Sequence, residues 1–183
     1  MIDLTKYHSN IQHDIGRTGY TETSNKFAIQ VDGKNGLAQD LGFHSSGLSK
    51  VDYLRLENNE VFFIELTSLK DDIQECIDCD QLLKGSSEVR KYIKEVDRNG
   101  IKKVQKKLWM EITEEFKGKW MGSIALYERL LRRNQVIEDP NYHLIIVLKN
   151  DTDNKIRDLL QTTLRNKLSG MISKIDVYLT HEL

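Results

Sequence analysis

Two acids lie inside the short apolar runs of "SKVDYLRLENNEVFFIELTSLKDD", residues 49–72: Asp52 in the first run and Glu65 in the second. The runs meet at Asn58-Asn59, and asparagine tolerates the left-handed backbone angles that a tight hairpin turn requires. If these two residues form the turn, register follows by counting. Glu57 faces Glu60, Leu56 faces Val61, Arg55 faces Phe62, Leu54 faces Phe63, Tyr53 faces Ile64, and Asp52 faces Glu65. Opposed carboxylates repel unless a positive group lies between or beside them. A divalent cation held by oxygen ligands would resolve the conflict. The two-residue period of a strand also puts Thr67 on the face of Glu65, and continued pairing sets Lys50 opposite Thr67. A slip of one residue would turn one acid to the other face. The apolar neighbours of both acids predict strands covered on both faces rather than a solvent-facing hairpin.

The elements that must position this cluster differ in clarity. "IDLTKYHSNIQHDI" near the N-terminus fits a short amphipathic helix carrying Ile2, Tyr7, Ile11 and Ile15. "FAIQV", residues 27–31, followed by "DGKNG", predicts a strand ending in a turn. After the hairpin, Asp71 and Asp72 mark a helix N-terminus, with Ile73, Cys76 and Ile77 on its buried side. Ser86 or Ser87 would cap a second helix. Ile101, Val104, Leu108, Ile112 and Phe116 recur at helical spacing, and a further helix is expected from about Gly122 to Arg133. "YHLIIVLKN" predicts a buried strand, "DTDNKIRDLLQTTLRNKLSG" a capped helix and "KIDVYLTHEL" a last strand. A mixed sheet with helices against it, in an α/β chain, fits this order.

The length of 183 residues and a single Pro suit one domain, 1–183, with a basic helical section at about 84–134. The net charge of -1 excludes a general polycation and an acidic DNA mimic. The halves are nevertheless unequal: residues 1–80 hold 14 acids and 7 Lys/Arg, whereas residues 81–183 hold 14 acids and 20 Lys/Arg. Much of the excess lies in "KGSSEVRKYIKEVDRNGIKKVQKK", which is either a solvated helical surface or a face for a polyanion. Cys76 and Cys79 are too few for a structural zinc site, and nearby acids oppose thiolate formation. Apolar runs are strand-sized and no basic-then-apolar leader opens the chain, so a cytoplasmic protein without membrane contact is expected. His8, His13 and His44 could approach the acid pair from outside the hairpin or simply pack elsewhere.

The stretch "VDYLRLENNEVFFIELTS" resembles the core of the PD-(D/E)xK nuclease superfamily. The resemblance implies a restriction endonuclease-like mixed sheet flanked by helices, with Asp52 and Glu65 as the metal-binding acids and the Leu66 carbonyl as a third oxygen. It also implies Mg2+, or Mn2+ in its place, and hydrolysis of DNA phosphodiester bonds, with a homodimer cutting both strands. Thr67 stands where the family places a catalytic lysine, and no Pro precedes Asp52. Lys50 is the preferred substitute for that lysine and Lys70 the second candidate; the basic helices would contact phosphates. The alternative is a noncatalytic nuclease-like protein that binds DNA, or a protein-binding, regulatory protein.

Overall fold

The computed structural model describes residues 1–13, 21–43 and 47–183. Its six-stranded mixed sheet has the order β1 (His8–Gln12), β2 (Thr23–Gln30), β3 (Tyr53–Glu57), β4 (Glu60–Thr67), β5 (Asn141–Leu148) and β6 (Lys174–Leu179). β1 to β4 pair antiparallel in succession, whereas β5 joins β4, and β6 joins β5, in parallel. Between β2 and β3 lies a short α1 (Leu37–Asp40). Four helices separate β4 from β5: α2 (Lys70–Gly85), α3 (Ser87–Val96), α4 (Gly100–Leu108) and α5 (Met110–Asn134). The last helix, α6 (Asn154–Lys167), makes the crossover from β5 to β6.

The central hairpin has the register that counting from the asparagine turn predicts. Asn58 takes φ 53°, and the pairs run from Glu57 with Glu60 to Tyr53 with Ile64. Strand alternation then divides the side chains between two cores. Val61 and Phe63 join Leu144 and Ile146 in the larger core, with Ile73 of α2, Phe116 and Trp120 of α5 and Leu160 of α6. Ile64, Ile145, Val147 and Tyr53 enter a smaller core on the opposite face, beside Ile11 and Ala28. Glu65 follows the alternation of Val61 and Phe63 and therefore lies under α5.

Two expectations change. The N-terminal segment is a 3-10 turn, Thr5–Tyr7, followed by β1 rather than a helix, because residues 8–12 pair with β2 and gain ladder hydrogen bonds there. Ile15 of that expected helix lies outside the described residues. The helical stretch after Asn99 breaks at Trp109, and α5 then continues without interruption through Gly118 and Gly122. Gly122 lies in the helix interior because α5 crosses the chain before β3 at very close range there. A Cβ on Gly122 would stand 1.8 Å from the Ser49 carbonyl oxygen, and at the next residue the Ser123 hydroxyl accepts the Val51 N–H at 3.0 Å. No helix among the described residues is long and apolar enough to cross a membrane.

This contact yields a matched pair of substitutions. Gly122→Ala is expected to destabilise the protein by about 2 kcal/mol or more, since backbone must move to admit the methyl group. At Gly118 the nearest atom, Ser49 Cβ, would be 3.7 Å away, so Gly118→Ala should be neutral or raise stability by up to ~1 kcal/mol through helix propensity. Urea unfolding of both variants checks the difference; equal effects would show that the close approach does not constrain α5.

Candidate functional site

Asp52 and Glu65 come together at the end of the sheet where β3 begins and β4 ends. The backbone ladder stops at Tyr53 and Ile64, and one step further the Asp52 side chain takes over: its Oδ2 accepts the Leu66 N–H at 2.8 Å. The Asp52 carbonyl accepts the Val31 N–H at 2.8 Å, which ties this point of the chain to the end of β2. Glu65 is only 2% exposed, and its Oε2 has no hydrogen-bond partner. Burial, reinforced by the negative charge of Asp52, pushes its carboxyl up to about 8.

The positive group beside this pair comes from α5. Lys119 Nζ donates to Glu65 Oε1 and lies 3.4 Å from Glu115 Oε1. Burial opposes the Lys119 ammonium, but Glu65, Asp52 and Glu115 together hold its pKa above the ordinary lysine value. Lys119 was not among the residues expected to act here. Its signal was its place within the buried stripe of α5, between Phe116 and Ser123, where an ionisable side chain needs a partner.

The lysines expected beside Thr67 are engaged elsewhere. Lys50 is almost fully buried but meets Asp32 at 2.9 Å; the hairpin ladder does not extend to a Lys50–Thr67 pair because the chain turns toward β2 at Asp52. Lys70, at the start of α2, pairs with Asp151 at 3.1 Å, and both side chains are near half-exposed. Thr67 ends β4 opposite Leu148. Asp32, expected only as part of a turn, joins the rim of the cluster. Burial works against its charge, but Lys50, the Gly33 N–H and Lys119 hold its carboxyl below the usual range. His8 and His13 belong to the β1 segment, separated from β3 by β2, and His44 lies outside the described residues.

Among the described residues, no group of three or more His, Cys, Asp or Glu side chains is placed to hold a metal ion. Mg2+ needs fewer, since it is commonly held by one or two carboxylates and water. The orphaned Glu65 oxygen beside Asp52 fits such a donor set. Cys76 is buried, with Sγ 3.0 Å from the Leu108 carbonyl, and burial raises its thiol pKa; both cysteines are free. No family model, curated protein or solved structure matches the chain.

The buried acid gives a pH signature in the absence of metal. The folded protein retains the Glu65 proton in a range where the unfolded chain, with an ordinary value of 4.5, has released it. This contribution to stability is therefore complete below about pH 4.5 and is lost as pH rises through about 8. Glu65→Gln keeps a neutral side chain and should lack that loss. In chelator-treated protein, the unfolding free energy of wild type relative to Glu65→Gln should fall from pH 5 to pH 9; a constant difference would contradict the assignment.

Proposed function

We propose that the chain is a metal-dependent DNA endonuclease of the PD-(D/E)xK kind, in which Lys119 replaces the lysine missing at Thr67. The observation that carries the reading is the buried Glu65 carboxyl, set beside Asp52 and facing the Lys119 ammonium. An acid in that position costs stability, and neither the strand nor the core requires it. The antiparallel β2–β3–β4 meander, followed by α2 and the parallel strand β5, further supports a restriction endonuclease-like reading of the mixed sheet.

Asp52, Glu65 and the Leu66 carbonyl would hold Mg2+ or Mn2+. Bound there, the ion would polarise the scissile phosphate and lower the pKa of a coordinated water. Asp52 is oriented for its task by the Leu66 N–H. Lys119, extended from a packed helix, would stabilise the negative charge that develops on the phosphate as the bond breaks. Thr67 has only a neutral hydroxyl for that role. Lys50 and Lys70 already neutralise Asp32 and Asp151, so they act on the rim rather than at the reacting phosphate. Two chains acting as a homodimer would cut both strands of a duplex.

Incubation of purified protein with supercoiled and linear DNA, with Mg2+, Mn2+ or EDTA, tests this assignment. Asp52→Asn, Glu65→Gln and Lys119→Met should each lower metal-dependent cleavage by about 10²-fold or more, and Lys70→Met by less than about threefold. Cleavage that survives in Asp52→Asn and Glu65→Gln would remove the site from consideration. Loss in Lys50→Met with retention in Lys119→Met would return the lysine role to Lys50. Binding without cleavage by wild type would favour the noncatalytic alternative.

A further inference from the structure

The basic section of the sequence folds into a helical arm whose cations are largely unneutralised. Lys84 pairs with Asp80, and Lys103 with Asp97, each at 2.5 Å. Arg90, Lys91 and Lys94 of α3 and Lys102, Lys106 and Lys107 of α4 form no ion pair among the described residues, and all six are exposed. On α4, Ile101 and Leu108 occupy the packed side, and at 100° per residue the lysines share the opposite side. No residue of α3 is fully buried, and its own cations also group on one side of its axis.

From this charge distribution we infer that the outward faces of α3 and α4 grip the phosphate backbone of duplex DNA. The inference deepens the endonuclease reading and rests on it for the choice of DNA. A second copy docked face to face would bring like charges against this surface, which argues against a symmetric dimer through it. The exposed aromatic of the arm, Tyr92, is 69% exposed but points about 160° around α3 from Lys94. The cationic face therefore offers charge without a stacking platform, which suits stacked base pairs rather than unpaired bases. The arm is also well placed in the chain: α4 runs through Trp109 directly into α5, and twelve residues separate Lys107 from Lys119. At a helical rise of 1.5 Å per residue this spans at most roughly 20 Å, or about six base pairs, so phosphates on α4 and at Glu65 belong to one short duplex segment.

Fluorescence anisotropy with a labelled duplex of about 20 base pairs, in EDTA and at several salt concentrations, tests the grip independently of cleavage. Two triple variants, Arg90→Gln/Lys91→Gln/Lys94→Gln and Lys102→Gln/Lys106→Gln/Lys107→Gln, should each weaken binding by about tenfold or more near 0.1 M salt. Their slopes of log K against log salt should become shallower by about 0.9 per contact removed. Lys84→Gln and Lys103→Gln, whose cations are already paired, should change binding less than about threefold, and circular dichroism would verify that all variants are folded. Duplex binding equal to wild type in both triple variants would overturn the inference. So would tighter binding to oligo-dT, to duplex RNA or to vesicles of phosphatidylcholine and phosphatidylserine than to duplex DNA. If the duplex binds as expected but wild type does not cleave with Mg2+, the endonuclease reading fails and the grip stands; cleavage with unaltered binding in the triple variants gives the converse.

Discussion

The tightest approach at any described glycine is backbone against backbone: α5 lies on the chain before β3 with only a hydrogen atom of Gly122 between the helix and the Ser49 carbonyl. Packing this tight fixes both the height and the rotation of the helix over the sheet. Ser123 adds direction by accepting the Val51 N–H, one residue before Asp52. With α5 so held, Trp120 meets the Phe63 ring edge-on at 5.5 Å, and Lys119, one residue earlier, reaches Glu65, two residues after Phe63. A rotation by one residue would carry Lys119 about 100° away from that carboxyl. The candidate site therefore depends on a glycine that carries no chemistry.

The electrostatics follow from the same packing. Covering β4 with α5 excludes water from Glu65, and the hairpin register adds the charge of Asp52 on the same side. An apolar residue at position 65 would continue the row of Val61 and Phe63 and avoid this desolvation. The fold instead accommodates a carboxyl whose second oxygen lacks a partner, with one lysine only partly compensating. Such a local conflict between stability and composition leaves a buried polar atom whose missing interaction a ligand could supply.

How much of this was legible in the sequence depended on the distance over which each feature is decided. Asn58-Asn59 and the apolar alternation are local, and they sufficed for the hairpin register from Glu57 with Glu60 to Tyr53 with Ile64. Asp153, whose side chain accepts the Lys155 N–H at 2.7 Å, is a local cap that marked the start of α6. Lys119 was different, because 54 residues separate it from Glu65 and only the seating of α5 brings them together. The glycines that permit this seating look like helix boundaries when read alone. The β1 segment likewise has apolar spacing compatible with a helix; a strand partner later in the chain decides otherwise.

Net charge concealed a comparable division of labour. A total of -1 suggests an electrostatically bland surface, but the acids and bases are used differently along the chain. Asp32, Asp80, Asp97 and Asp151 are matched to individual lysines, and Glu65 is withdrawn from solvent altogether. The outward cations of α3 and α4 remain unmatched, so the arm presents a positive field that the sum over the chain cancels. α4 meets α5 at Trp109, and α5 carries Lys119 to the Glu65 carboxyl on β4, so the arm and the buried acid are joined through two consecutive helices. On the proposed reading, a polyanion drawn to the arm would meet the acid pair on the same molecule, with α5 as the link between them.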